Sequence, residues 1–454
     1  MRALLVSTYE MGRQPFGLAS AAAWLRAGGW RVEAIDAAKE KLTAEHLRTA
    51  DLVGFHLPMH TATRLAGPIV AAARRVNPRA RIAAFGLYAP LNEEWLRSLG
   101  VDAIFGGEFE SDLAAYAARS APSAQRTQSS QSSQRERRSP LPRIHFLVPD
   151  RRGLPPLSNY ASLQMPDGTR RTVGYTEASR GCRHLCRHCP VVPIYEGRFR
   201  VVQPEVVLAD IDAQVAAGAS HITFGDPDFF NGPTHAMRIV DALHASHPEV
   251  TYDATIKIEH LLAHRDLVPR LAATGCAFVT SAVESIDDAA LAIFDKGHTR
   301  ADFVEAVALC RGAGLTLVPT FVAFHPWLTL RGYCDLVDTI ESLDLVDHVA
   351  PIQLAIRLLV PERSRLLTRP EMRPHLGAFD PATLTHRWTH PDPRVDALHE
   401  DVMAIVGARL TANREAVFDA VSALAHERAG VRRNRSKPAR DRATVPYLNE
   451  PWYC

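Results

Sequence analysis

No apolar run in this 454-residue sequence approaches the about 20 residues that cross a bilayer, so no membrane partner is expected. Net charge is only +2, which leaves no basic excess for nucleic acid or an acidic membrane surface. The opening stretch Met1-Arg-Ala-Leu-Leu-Val-Ser7 meets polar residues at once, unlike a secretory leader. Seven cysteines, an odd number, do not make a disulfide framework, and a reducing cytoplasm is the expected compartment. No G-x-G-x-x-G follows the first apolar strand, so nothing marks a dinucleotide site. What is present is an ordinary globular composition, 46% apolar and 22% charged, in a chain long enough for two or three domains.

Within that background one stretch stands out: Ser179-Arg-Gly-Cys182-Arg-His-Leu-Cys186-Arg-His-Cys189-Pro190. The C-x3-C-x2-C spacing follows a short strand pattern, Val173 to Ala178. Three thiolates can hold three irons of a 4Fe–4S cube, whereas fully protein-ligated clusters use four. The fourth iron is then open to a small molecule, as in metal sites that keep one position for substrate. Two other readings of the spacing stand beside this one. It could be a zinc knuckle with His184 or His188 as fourth ligand, or a set of incidental thiols.

Residues 1 to about 118 alternate short apolar runs with helical stretches: Ala3 to Ser7, Arg31 to Ile35, Leu52 to His56, Ile82 to Gly86 and Ala103 to Phe105. Such alternation reads as a Rossmann-like parallel sheet covered on both faces. Its ligands would sit at the carboxyl ends of the strands, where Gly86, Gly106 and Gly107 allow close backbone approach. His56 and His60, also at a strand end, read first as ordinary polar residues. Residues 119–143 are rich in Ser, Gln and Arg with little to bury, and are expected to be a disordered linker.

From 144 to 360 the alternation resumes. The expected strands are Val173–Ala178, His221–Phe224, Thr251–Ile256, Ala277–Val283, Leu315–Phe321 and the run Ala350–Leu359. Six strand–helix units make a parallel (β/α)6 partial TIM barrel, whose reacting groups gather at the strands' carboxyl ends. The three cysteines, Gly225-Asp226, Lys257, Glu284 and Phe324-His325-Pro326 all fall at such ends. Cys276 and Cys310 read as core, and Cys334 as core or surface. Residues 361–454 read as a helical extension with a Cys-ended tail.

This arrangement resembles the radical S-adenosylmethionine (SAM) superfamily. The resemblance implies that Cys182, Cys186 and Cys189 ligate a 4Fe–4S cluster whose open iron binds SAM. It places His188 near the adenine and Gly225 and Asp226 at the SAM amino group. Glu284, in Ala282-Val283-Glu284-Ser285, becomes a ribose or amino-acid contact, with Lys257 at the same mouth. Phe85-Gly86-Leu87-Tyr88-Ala89 and Phe105-Gly106-Gly107-Glu108 resemble the cobalamin-binding domains that precede some members, although the first loop, Thr8 to Pro15, has no histidine for a lower cobalt ligand. The implied activity is reductive SAM cleavage with methyl or other group transfer, or C–C or C–heteroatom bond formation, on a small-molecule substrate. An electron donor such as flavodoxin or ferredoxin is implied with it. The non-enzymatic alternative is an iron–sulfur or zinc redox or ligand sensor that does not turn SAM over.

The last residues, Val445-Pro-Tyr-Leu-Asn-Glu-Pro451-Trp-Tyr-Cys454, resemble the ends of radical SAM proteins named for a Cys-Cys-Ala-Glu-Pro or Cys-Sec-Ala-Glu-Pro tail. The expectation is that Cys454 is the first cysteine of that motif, followed by a UGA codon for selenocysteine. A thiol or thiol–selenol pair there would be a catalytic soft ligand or redox group.

Overall fold

The structure is a computed structural model that describes residues 1–119, 144–409, 413–433 and 445–449. The expected linker, apart from Arg119, and Cys454 lie outside the described residues.

The first unit runs β1 (Arg2–Ser7), α1 (Phe16–Ala27), β2 (Arg31–Asp36), α2 (Ala44–Arg48), β3 (Leu52–His56), α3 (His60–Val76), β4 (Arg81–Phe85), α4 (Glu93–Ser98), β5 (Ala103–Phe105) and α5 (Glu110–Ala118). All five strands pair in parallel in the order β2-β1-β3-β4-β5. The order reverses direction at β1/β3, the switch point where ligands of such sheets sit. The strands are near-continuous apolar runs because both faces are covered. Val53, Phe55 and Ile82 pack to one side and Leu5, Leu52 and Phe85 to the other.

The second unit begins with β6 (Ser162–Gln164) and β7 (Arg170–Thr176), followed by β8 (Ser179–Gly181), α6 (Val192–Tyr195) and β9 (Phe199–Val201). Then come α7 (Pro204–Ala216), β10 (His221–Phe224), α8 (Pro233–Ser246), β11 (Thr251–Thr255), α9 (Ile258–Ala263) and α10 (Val268–Ala273). The unit closes with β12 (Cys276–Glu284), α11 (Asp288–Phe294), α12 (Arg300–Gly312), β13 (Thr316–Phe321) and α13 (Leu330–Ser342). Strands β7, β10, β11, β12 and β13 are parallel neighbours in that order. They form the curled half-barrel of an α/β fold, with the side chains of Ile222, Tyr252, Val279 and Leu317 in one core with the covering helices.

The sixth barrel strand expected at 350–359 is not formed. Residues Pro351–Leu354 make a 3-10 turn, and only a single parallel bridge, Phe324 to Arg357, marks its place. Pro351 supplies no N–H for a ladder and suits the first position of a helical turn. The Gln353 side chain then takes the acceptor role of the missing strand, its Oε1 receiving the Phe321 amide at 2.9 Å.

The C-terminal region, expected to be mostly helical, adds a hairpin, β14 (Leu376–Asp380) and β15 (Thr385–Trp388), ahead of α14 (Pro393–Gly407) and α15 (Arg414–Ala429). Trp388 packs with Phe294, Leu358 and Met372 in a separate small core. A last strand, β16 (Tyr447–Leu448), adds to the sheet edge antiparallel to β6. Because β6 is itself antiparallel to β7, β16 runs in the same sense as β7, toward the carboxyl ends of the barrel strands. No described helix is long and apolar enough to cross a membrane.

Candidate active site

The segment bearing the cysteines leaves the barrel just past β7 and is tied at its base. Ser179–Gly181 pairs antiparallel with Phe199–Val201, closing residues 182–198 into a loop. Gly181 holds φ +77, and a Cβ there would meet Tyr195 Cδ1 at 2.4 Å and the Arg198 carbonyl at 2.5 Å. Only glycine lets the two sides of the clasp come this close. Asn231 fastens the loop to the barrel: its Oδ1 accepts the Arg183 amide at 3.1 Å and its Nδ2 donates to the Gly181 carbonyl at 3.3 Å. On the far side, the Arg187 amide donates to the Phe294 carbonyl at 2.8 Å.

Cys182, Cys186 and Cys189 are all reduced, with Cys186 buried. Burial pushes the Cys182 thiol up to about 11 and the Cys189 thiol up to about 12. Left to themselves these two groups are neutral at pH 7. Coordination reverses that preference, because a metal ion deprotonates its thiol ligands outright. Cys276 and Cys310 are buried as expected, and Cys334, left open between core and surface, is buried too.

Asp226 is placed beneath this loop and spends both carboxylate oxygens on it. Oδ2 accepts the Ala178 amide at 2.9 Å and Oδ1 the Ser179 hydroxyl at 2.5 Å. Burial raises its carboxyl to about 7 against the pull of those hydrogen bonds. In this structure Asp226 therefore positions the loop. Gly225 is explained by packing: the Tyr175 hydroxyl lies 1.8 Å from where a Cβ would stand.

Glu284, at the end of β12, has φ +68, a left-handed conformation rare for a residue other than glycine. Its Oε1 accepts from His188 Nε2 at 3.1 Å and lies 3.5 Å from the Lys296 ammonium. Burial alone would raise this carboxyl, but Lys296 and the His188 hydrogen bond hold it down to about 2. A residue of the cysteine loop is thus hydrogen-bonded to a charged carboxylate at the end of the fourth parallel strand. The His188 ring also packs at 4.8 Å on Phe294, which touches Trp327 and His325. Burial lowers His298 and His325 to about 4, so the wall around Glu284 carries neutral imidazoles.

Lys257, just after β11, is buried and bonds Glu259 at 3.2 Å. Beside it His184, Asp228 and His260 converge. On the first unit's strand ends, His56 is paired with Glu10 at 2.6 Å, and His60 Nε2 bonds the Thr383 carbonyl at 2.6 Å. Each imidazole thus has one ring nitrogen engaged by the protein itself. A Cβ at Gly86 would meet the Leu57 carbonyl at 2.9 Å, and one at Gly106 would meet the Pro90 ring at 2.2 Å, so these glycines serve the protein's own packing. Gly107, φ +65, has only ordinary contacts with Ile194 and Tyr195 of the second unit, at 3.8–3.9 Å.

Sequence reasoning missed Arg180, Glu177 and Glu110, and gave Lys296, though marked with Glu284 in one pattern, no role of its own. Arg180 is buried between the two units, bonded to Glu177 and to Glu110 at 2.7 Å each. Glu110 also accepts the Ser20 hydroxyl at 2.6 Å. A charged residue two positions before the first cysteine was the available signal, with Glu177 three residues ahead of it, but its second acidic partner, Glu110, lies far away in the chain. The role of Lys296 could have been found from its place after Glu284 in the stretch Lys296-Gly297-His298-Thr299.

Residues 176–340 match the family model of the radical SAM superfamily. The tRNA-2-methylthio-N(6)-dimethylallyladenosine synthase of Desulfosudis oleivorans is 30% identical over 213 residues, 45% of each chain. The bacteriochlorophyllide d C-8(2)-methyltransferase of Chlorobaculum tepidum is 25% identical over 189 residues, 39% of this chain and 38% of that one. The chain thus spans less than half the length of the curated relatives it matches. Among solved structures, the fold superposes on the cobalamin-dependent SAM radical enzyme OxsB with a TM-score of 0.65 at 14% identity, covering 94% of this chain and 71% of that one. It superposes on the radical SAM methyltransferase TsrM from Kitasatospora setae with a TM-score of 0.61 at 16% identity, covering 92% and 88%.

Proposed function

We propose that this chain, whose residues 176–340 are a radical SAM superfamily domain, is an enzyme that cleaves SAM and transfers a methyl or other group to a small molecule. The observation that carries the reading is the C-x3-C-x2-C loop clasped at the carboxyl end of the first parallel strand, hydrogen-bonded through His188 to Glu284. The donor set fits the cluster: three reduced thiols on one short loop, soft ligands suited to iron–sulfur. Bound by Cys182, Cys186 and Cys189, a 4Fe–4S cluster would leave one iron for SAM and supply the electron for its cleavage.

The chain's own residues then bind and orient. The Glu284 carboxylate, kept charged by Lys296, is proposed to accept from the ribose or amino group of SAM. The ring of His188 offers its face near the adenine, and Lys257 offers a cation for the SAM carboxylate. Asp226 and Gly225 set the position of the loop. Phe294, packed on the His188 ring of the cysteine loop, and Trp327 beside it exclude water there.

The first unit is proposed to carry cobalamin, supported by its 2-1-3-4-5 strand order and by its likeness to enzymes solved with cobalamin bound. Gly107 is the strand-end glycine at which a Cβ would make only ordinary contacts. At the same strand ends His56 and His60 are each held through one ring nitrogen, by Glu10 and by the Thr383 carbonyl. A small molecule rather than tRNA is proposed as acceptor, because a net charge of +2 gives no excess for phosphate contacts. A flavodoxin- or ferredoxin-like reductant and a reducing, cytoplasmic compartment complete the proposal. The finer kinship with Cys-Cys-Ala-Glu-Pro-tailed proteins, and a catalytic thiol at Cys454, are also proposed. The direction of β16, toward the barrel mouth, supports them.

The test is anaerobic reconstitution followed by dithionite and SAM. Formation of 5′-deoxyadenosine or S-adenosylhomocysteine is expected from the wild type and not from Cys186→Ala. A brown, iron-loaded protein that leaves SAM intact would instead make this chain a sensor.

A further inference from the structure

We propose that His184, Asp228 and His260 bind a divalent transition-metal ion, distinct from the iron held by the three cysteines. The residues come from three elements. His184 lies on the cysteine loop, Asp228 follows β10, and His260 sits in α9. One ligand atom from each lies within 4.8 Å of the other two. His184 Nε2 is 3.2 Å from His260 Nε2 and 3.7 Å from Asp228 Oδ2, and His260 Nδ1 is 2.7 Å from the same oxygen. The two His260 distances belong to different nitrogens of its ring, and an ion takes one of them. Since zinc bonds of about 2.0–2.2 Å set neighbouring ligands roughly 3.0–3.6 Å apart, closing from within 4.8 Å needs shifts of up to about 1 Å.

A second observation points the same way. The Asp228 side chain is 0% exposed, yet its Oδ2 has no hydrogen-bond partner among the described residues, and neither has His260 Nδ1. The two atoms are within bonding distance, but the geometry between them is not that of a hydrogen bond. A buried carboxylate oxygen left unsatisfied is costly. A cation at the point where the lone pairs meet removes that cost.

The surroundings have the form that metal ligands require. Asp228 Oδ1 accepts the Phe230 amide at 3.3 Å, which fixes the carboxylate plane. Glu259 Oε2 lies 3.5 Å from His184 Nδ1, on the far side of the ring from the site. A carboxylate there favours the proton on Nδ1 and leaves the Nε2 lone pair for the ion. Two imidazoles and one carboxylate suit zinc, iron or manganese in preference to calcium or magnesium. Three protein ligands leave a coordination position open to water or a small oxygen ligand. The proposal needs only this geometry and does not depend on SAM turnover.

The experiment uses the full chain, reconstituted with iron and sulfide, freed of loose metal, and equilibrated with zinc alone. One zinc per chain is expected in addition to the cluster iron, with an X-ray absorption shell of nitrogen and oxygen that includes imidazole. Asp228→Asn and His260→Gln should each weaken zinc binding by about 10-fold or more while iron content is unchanged. Zinc retention that is equal in wild type and both variants overturns the proposal. So does retention below about 0.1 per chain at micromolar zinc, or a sulfur-dominated shell. Should the variants not fold, judged by circular dichroism and gel filtration, the wild-type absorption spectrum alone decides.

Discussion

The Arg180 guanidinium stands 2.7 Å from the Glu110 carboxylate, joining the first parallel sheet's unit to the cysteine loop. Both side chains are buried, 7% and 1% exposed. Burial favours loss of the Arg180 proton, and Glu110 with Glu177 more than offsets it, raising the guanidinium above its ordinary value. The rings of Phe146, Phe109 and Phe16 surround the cation at 4.9, 5.6 and 5.7 Å. A buried pair of this kind is weak evidence of net stabilisation, but removing one partner strands the other. Glu110→Gln and Arg180→Met are each expected to lower unfolding free energy by about 3–5 kcal/mol, read by denaturant titration. Arg180→Lys should recover little of it, because an ammonium cannot serve two carboxylates in the guanidinium's fork geometry.

Asp36 gives a pH signature. It is buried at the end of β2, and burial raises its carboxyl to about 6 from 3.8, against its hydrogen bonds to Ala38 and Tyr160. Between those values the folded chain holds more protons than the unfolded one, so stability falls as pH rises through the window. Asp36→Asn should therefore be more stable than wild type at pH 8, by about 1–3 kcal/mol, with the advantage gone below pH 4. Thermal melts at the two pH values check it.

Gly225→Ala should destabilise by about 1–3 kcal/mol through overpacking, since its Cβ would fall 1.8 Å from the Tyr175 hydroxyl. Cζ and Cε2 of the same ring would also clash, at 2.1 and 2.8 Å. Tyr175→Ala is therefore the partner variant that removes all three atoms, and the double variant should lose less than the sum of the two single losses. If the two losses simply add, the glycine answers to something other than Tyr175.

Cys454→Ser should leave iron content and circular dichroism unchanged while lowering product formation by about 10²–10⁴-fold, the range for a group acting directly on the reaction. Unaltered turnover would remove the thiol from the chemistry.

Much of this architecture is legible in the amino-acid sequence itself. The cysteine spacing, the strands of the first sheet and five of the six barrel units follow from apolar runs punctuated by Gly and Pro, which are local signals. The sixth strand is not legible there, because Gln353 replaces a backbone ladder with a side chain and Pro351 turns the chain. Pro351 was the local signal against a strand there, but the Gln353 contact that replaces the ladder has none. The 376–388 hairpin escapes sequence reasoning for a related reason. It is held by Trp388 packing on Phe294 and Met372, remote in sequence. The site divides likewise: cysteines and Glu284 are marked by motif, whereas Arg180 with Glu110 and the His184–Asp228–His260 group exist only once distant segments meet.

The central claim is that three cysteines hold a cluster whose free iron receives SAM. Electron paramagnetic resonance of the dithionite-reduced, reconstituted protein, recorded with and without SAM, tests it most directly. A 4Fe–4S signal whose g-values shift on adding SAM, and which is absent from Cys182→Ala, Cys186→Ala and Cys189→Ala, is the predicted result. A signal indifferent to SAM, or one that survives loss of these cysteines, would contradict it.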